Sequence, residues 1–445
     1  MGQVERKKKI VFTRQQEIFA AYAEETDHEI GRVVQAIDDL AAMDNTLIIY
    51  ITGDNGSSGN GGPTGRFNSV TSYNALPETI DEQFQHLADF GGPHSDMTPP
   101  LGWAIADNAP FAYCQFAAAY GGTTNGAVVH WPKVIKAKGE IRSQYHHLID
   151  IAPTVLQSAE LPQPKVVNGT PQKPIEGVSM VYSFTDAQAK SPHTVQYTEF
   201  AGNRGIYKDG WYATTLHRAP WEAQPRSTFD QDKWELYNTA EDFSCANDLA
   251  AKNPDKLKEM QGTFLTEAVK YNVLPLDDRV YERFNPAVAG RPDLLARRTS
   301  LTVYSGMIGM KENAFINTKN RSYSVTAELD LPKTGVSGVI LAQGGVHAGW
   351  SLYVKDGKPK LAYINGRKVA TSRIERTIPF VFGVETADVG EDLYTPVTSD
   401  YAKGNNKFTG KIDKVTIDLK KMNSADEDAA RKAAAISDED DADTD

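Results

Sequence analysis

One stretch of this 445-residue chain puts chemically useful residues side by side: Gly53-Asp-Asn-Gly56. A carboxylate next to a carboxamide offers hard oxygen donors, which suit Ca²⁺ or Mg²⁺ rather than zinc. The same residue types favour turns, so Asp54 and Asn55 read either as a turn or as metal ligands. Two thiols, Cys114 and Cys245, are the only candidates for a sulfur nucleophile or for a single disulfide. No base or cation adjoins Cys114 in sequence, so it reads by default as a small buried hydrophobe. His146-His147 with Asp150 have metal-ligand character. Adjacent histidines on a helix point in different directions, which favours structural hydrogen bonding. Arg204 and Asp209 read as shaping a strand turn.

The elements that position these residues follow from periodicity. Leu47 to Thr52 is an apolar, β-branched run ending in the Gly-Asp-Asn-Gly stretch. It predicts a strand buried on both faces, as in a parallel sheet covered by helices. Asp54 and Asn55 then sit past its carboxyl end, where open α/β sheets bind ligands. Ile18, Tyr22, Ile30, Val33, Val34, Ile37 and Leu40 recur at helical spacing and predict a helix over 15–43. Residues 126–131 predict a second buried strand, and 143–159 a helix in which Pro153 requires a new helical turn. Strands follow at 195–200 and 210–215. Asn253 and Pro254 then open a helix to Val273.

After about residue 290 the pattern becomes β-rich, with runs at 300–303, 323–329, 338–342, 350–354, 360–364, 379–383 and 410–419. Asp356-Gly357 and Asn365-Gly366 are hairpin signals. The expected organisation is a basic lead (1–10), an α/β region (11–290), an all-β, sandwich-like domain (291–420) and an acidic, disordered tail (421–445). The net charge of −11 argues against a nucleic-acid partner. No apolar run reaches the roughly 20 residues that span a bilayer. Met1 to Lys9 lacks the apolar segment of a secretory leader, and the compartment stays open.

Several stretches, taken in order, carry a family resemblance: Tyr22-Ala-Glu-Glu-Thr-Asp-His-Glu-Ile-Gly31, Asn45 to Gly56, Gly121-Gly-Thr-Thr-Asn-Gly-Ala-Val-Val-His-Trp-Pro132 and Arg142 to Thr154. Pro174-Ile-Glu-Gly-Val-Ser179, Trp234-Glu-Leu-Tyr237 and Asn247-Asp-Leu-Ala250 continue it. The chain resembles the sulfatases, in particular a branch of bacterial-type arylsulfatases. The resemblance implies part of an alkaline-phosphatase-like α/β sheet with helices on both faces. It also implies hydrolysis of sulfate esters by a formylglycine made from cysteine, assisted by Ca²⁺. Asp54 and Asn55 match the late pair of calcium ligands, which favours the metal reading over the turn.

The departures are equally specific. Cys114 is followed by Gln115-Phe116 and Cys245 by Ala246-Asn247, so neither fits the Cys/Ser-x-Pro/Ala-x-Arg nucleophile motif. The early pair of calcium-binding aspartates is absent. Cys114 and Gln115 stand where the family places a lysine on the substrate sulfate, and Ala117-Ala-Ala119 replaces the accompanying histidine. Losing such a charged contact costs about 2–5 kcal/mol where the partner charge stays buried. The expectation is a C-terminal portion of a sulfatase, with calcium bound weakly and no hydrolysis by this chain alone. Its partners would be a sulfate ester or sulfated glycan, and a second chain completing the sheet. The alternative is a non-catalytic binder of sulfated glycans that uses β-domain aromatics such as Tyr353 and Tyr363.

Overall fold

The computed structural model describes residues 3–53, 55–74, 76, 78–219, 221–222, 224–280, 294–295, 298–319, 321–332, 334–364, 368–369, 382 and 385–420. The helices are α1 (Gln3–Asp39), α2 (Val70–Tyr73), α3 (Ile80–Gln85), α4 (Leu101–Asp107), α5 (Tyr120–Thr123), α6 (Ile151–Ser158), α7 (Val181–Thr185) and α8 (Pro254–Lys270). The first eight strands are β1 (Ile48–Ile51), β2 (Ala127–His130), β3 (Val166–Val167), β4 (Thr170–Pro171), β5 (Val195–Phe200), β6 (Asn203–Lys208), β7 (Trp211–Thr215) and β8 (Trp234–Asn238). The others are β9 (Ser300–Val303), β10 (Tyr323–Asp330), β11 (Gly338–Gly344), β12 (Gly349–Lys355), β13 (Lys358–Ile364), β14 (Lys368–Val369), β15 (Ala387–Val389) and β16 (Lys411–Leu419). The chain divides into two compact units, a mixed unit (Gln16–Pro63, Leu101–Asp278) and a β-rich unit (Met1–Gln15, Thr64–Pro100, Arg279–Asp445). Among the described residues no helix is long and apolar enough to cross a membrane.

The mixed unit is built on a four-stranded antiparallel sheet in the order β5-β6-β7-β8. Ile206, Ala213 and Leu236 on one face pack against Met260, Phe264 and Ala268 of α8. Burying each large apolar side chain there contributes about 1.5–3 kcal/mol. Alternation along β7 turns Tyr212 and Thr214 to the opposite face, where both hydroxyls donate to the Ala118 carbonyl just before α5. The sheet is therefore covered on both sides within α/β architecture. Asp209-Gly210 forms the β6–β7 turn with φ of 49° and 85°, the left-handed pair a tight hairpin needs.

The strand at 48–51 forms where its apolar run places it, but its pairing differs from the expectation. It pairs antiparallel with β2 in a two-stranded sheet, and all four of its residues are half-buried. β2 is mostly exposed, with Val128 at 62%. Two neighbouring strands joined antiparallel leave faces open that a parallel, helix-covered sheet would close. The helix also differs. It begins at Gln3, because nothing from Glu5 to Phe12 breaks a helix, so residues 3–10 are helical rather than a lead. Its apolar stripe, expected in a core, is exposed at Tyr22 (73%), Val33 (64%) and Leu40 (79%).

The β-rich unit holds a three-stranded sheet (β10-β16-β9) and a five-stranded sheet (β14-β13-β12-β11-β15). Val303, Val415 and Ile417 of one share a core with Leu341, Trp350, Val354 and Val389 of the other. That is the sandwich the strand pattern predicts. Asp356-Gly357 makes the β12–β13 turn with φ of 54° and 70°. Tyr353 is a correction. It is 4% exposed and its hydroxyl donates to Asp400 at 2.6 Å, so it offers no surface to a glycan. The Tyr363 side chain, Asn365-Gly366, most of 379–383 and the acidic tail lie outside the described residues.

Candidate functional site

The loop after β1 and the turn at Cys114–Gln115 meet inside the mixed unit. Gln115 donates its backbone N–H to the Ser57 carbonyl at 2.9 Å, and Gly56 donates to Gly122 at 3.2 Å. Asn108 seals the junction. Its Oδ1 accepts from Ser57 N–H at 3.3 Å, and its Nδ2 donates to the carbonyls of Tyr113 (2.9 Å) and Gly121 (2.6 Å). Glycine at position 56 is required, since a Cβ there would lie 1.9 Å from the Gly121 carbonyl oxygen. Asn55 and Gln115 are half-buried. Asp54 lies outside the described residues.

The turn carries backbone strain. Tyr113 and Phe116, on either side of Cys114–Gln115, adopt φ of 65° and 77°. Such conformations cost non-glycine residues about 1–3 kcal/mol each and persist where neighbours over-determine them. Asn203 meets that need by donating Nδ2 to the Phe116 carbonyl at 2.8 Å. Cys114 is fully buried, and burial pushes its thiol up to about 11. Burial also pushes the Cys245 thiol up to about 12, aided by nearby Asp242. Both cysteines are free, so the single disulfide considered from the sequence does not form. With their thiols protonated at neutral pH, neither has the character of an activated nucleophile.

Whether these residues suit calcium can be read from the donors. Asn125 lies against Gly53, and its buried Nδ2 has no hydrogen-bond partner among the described residues. An N–H donor gives a cation no ligand. Among the described residues no group of three His, Cys, Asp or Glu side chains is arranged to hold a metal. Ca²⁺ takes six to eight oxygens. The described residues do not make up such a site.

Behind the turn lies a charged cluster that local sequence did not reveal. Asp232, with no exposed side-chain surface, accepts from Arg204 Nη2, from His217 Nδ1 (2.9 and 3.0 Å to its two oxygens) and from Ser227 Oγ (2.6 Å). The Arg204 guanidinium lies 5.6 Å from the Phe229 ring centroid and 5.4 Å from that of Trp234. Desolvation lowers its pKa despite the pairing. Asp209 shapes a strand turn, as read from sequence, whereas Arg204 lies within β6 as half of a buried ion pair. Its partners are spread from 204 to 232, so no short motif marks them.

Asp150 is the centre of a second buried cluster. It accepts from the backbone N–H groups of His147 (2.8 Å) and Val178 (2.7 Å), and from His193 Nδ1 at 2.9 Å. Burial opposes its charge, but these donors outweigh it and hold the carboxyl below its usual range. His193 moves the other way, raised by Asp150 against desolvation. Burial lowers both His146 and His147. The pair precedes α6 rather than riding on a helix, and His147 caps the short turn at Leu148–Asp150. This is structural hydrogen bonding, as the residue types predicted.

Residues 6–161 match the sulfatase family model. An uncharacterized sulfatase of Schizosaccharomyces pombe is 26% identical over 282 residues, covering 62% of this chain and 48% of that one. The arylsulfatase of Klebsiella aerogenes is 27% identical over 173 residues, covering 37% of this chain and 33% of that one. A structure from work on glycosaminoglycan metabolism by Bacteroides thetaiotaomicron is 21% identical. It covers 55% of this chain and 43% of that one, with a TM-score of 0.34. The chain spans less than half the length of each of these relatives.

Proposed function

The chain carries a sulfatase-family region over residues 6–161, and from that premise we propose that it recognises a sulfate ester without hydrolysing it alone. One observation carries this reading. The Gln115 N–H to Ser57 bond joins the loop of Asn55 to the turn that the family resemblance offers as the candidate sulfate-binding position. A sulfate monoanion needs donors where it is desolvated. Gln115 supplies an amide in place of the family's cation, and the Asn125 amide, without a partner among the described residues, supplies another near Gly53. The absence of hydrolysis rests on the lack of the formylglycine motif in this sequence and on two protonated thiols, one buried and one half-buried. Asp54 and Asn55 give calcium two ligands, so its binding is weak.

The test is turnover of an aryl sulfate, with and without calcium, by protein carried through a second, unrelated purification step. We expect no product, together with retention on a sulfated polysaccharide column. Turnover that survives the second purification refutes the non-catalytic part. Loss of retention refutes the recognition. Calorimetric calcium affinity at micromolar or tighter, abolished by Asp54→Ala, refutes the weak site.

A further inference from the structure

Asn203 spends its whole hydrogen-bonding capacity in one place. It is 2% exposed and sits where the β5–β6 hairpin returns, after Ala201 and Gly202 at φ of 48° and 88°. Its Oδ1 accepts from the backbone N–H groups of His217 (2.8 Å) and Arg218 (3.1 Å). Its Nδ2 donates to the Arg218 carbonyl at 2.9 Å and the Phe116 carbonyl at 2.8 Å. Three of these bonds stay within the sheet and the segment that follows it. The fourth leaves the sheet and holds Phe116, the left-handed residue immediately after Gln115. Two further donors from β7, Tyr212 Oη (2.5 Å) and Thr214 Oγ1 (3.0 Å), fix the Ala118 carbonyl. On its other side the turn is fixed by the Gln115 bond to Ser57.

A sheet needs none of these bonds to the turn for its own ladder, which is complete from β5 to β8. A carboxamide is also the one small side chain that offers two donors and two acceptors from a single planar group. An aspartate would keep both acceptor contacts but face two carbonyls with a charge.

We propose that Asn203 is a positioning residue for an oxyanion-binding turn: it locks Phe116 and thereby aims the Gln115 amide at a sulfate ester. Thr214 is its auxiliary. The role rests on the sulfate-ester reading of this turn for its ligand, and on geometry alone for its mechanical part.

The experiment uses Asn203→Asp in the full chain, with amide hydrogen exchange and titration with 4-nitrophenyl sulfate, both well below the melting temperature. We expect the Gln115 and Ala117 amides to lose at least about 10-fold in protection. The amides of α8, in the same unit, should keep theirs, and affinity for 4-nitrophenyl sulfate should fall at least about 5-fold. Equal loss of protection across the mixed unit would show a merely structural residue and overturn the proposal. Unchanged protection at Gln115 would overturn it too. If the wild-type chain binds no 4-nitrophenyl sulfate, the recognition reading fails, while the exchange result still decides the role of Asn203. Should Asn203→Asp not fold, Thr214→Val carries the same test at Ala117, with the same outcomes.

Discussion

Replacing Asp232 by asparagine tests how the charged cluster behind the turn is held. The carboxylate has no exposed side-chain surface and Arg204 only 8%. Asparagine keeps one acceptor but puts an amide donor against Arg204, His217 or Ser227, all of which donate to Asp232. It also leaves the guanidinium buried between Phe229 and Trp234 with only the weaker influence of Glu199 as counter-charge. At an effective dielectric of about 20 and about 4 Å, the lost attraction is about 4 kcal/mol. Breaking a buried pair from one side typically costs about 3–5 kcal/mol. Against a domain stability of about 5–15 kcal/mol, Asp232→Asn should therefore remove about 3–4 kcal/mol. Urea unfolding monitored by tryptophan fluorescence, to which Trp234 contributes, measures it. The double variant with Arg204→Met should cost less than the two single costs added, by about 2–3 kcal/mol, because the orphaned cation is gone. A single-variant cost below about 1 kcal/mol, or strict additivity, would refute the buried-pair account.

Asp392, 2% exposed, is raised by burial from 3.8 to about 6. Its contribution to stability is whole below pH 3.8 and is lost as pH rises through about 6, by about 3 kcal/mol at most. Asp392→Asn keeps an acceptor for Val397 N–H and Tyr401, so it should stabilise the protein by about 1–3 kcal/mol at pH 7.5 and not at pH 3.5, measured by urea melts. His193, raised above 6.5, adds stability that is full below 6.5 and lost as pH rises through its folded value, while lowered Asp150 adds stability lost on acidification below 3.8. His193→Gln should therefore cost about 1–3 kcal/mol near pH 5 and less at pH 8.5; a flat pH profile would contradict the pairing. Gln115→Lys should raise affinity for 4-nitrophenyl sulfate about 5–100-fold in a salt-sensitive way, read by calorimetry, because it places a cation at a half-buried position.

How far the sequence carried the structure depends on whether a feature is local. Strands at 48–51, 195–200, 211–215, 300–303 and 411–419 lie where alternation or apolar runs put them. Pro153 sits in the first turn of α6 and Pro254 opens α8, as proline's fixed φ requires. Strand direction is not local, which is why β1 was expected in a parallel sheet. β15, with its three residues Ala387–Val389, is too short to leave a periodic trace. Tyr353 reads as exposed only if its strand has one wet face, and Asp400 covers that face. At the proposed site, only a family resemblance singles out Asn55 and Gln115. Asn203 and Asp232 were not, because their partners lie far along the chain and only the fold brings them together.

In the proposed function, the loop at Asn55 and the turn at Gln115 form one surface for a sulfate ester that this chain leaves intact. Titrating isotopically labelled protein with 4-nitrophenyl sulfate, while following both backbone amide shifts and released 4-nitrophenol, tests it most directly. Shifts should centre on the amides of Asn55, Gly56, Gln115 and Ala117, with no 4-nitrophenol released. Shifts that avoid both segments, or steady release of 4-nitrophenol, would contradict it.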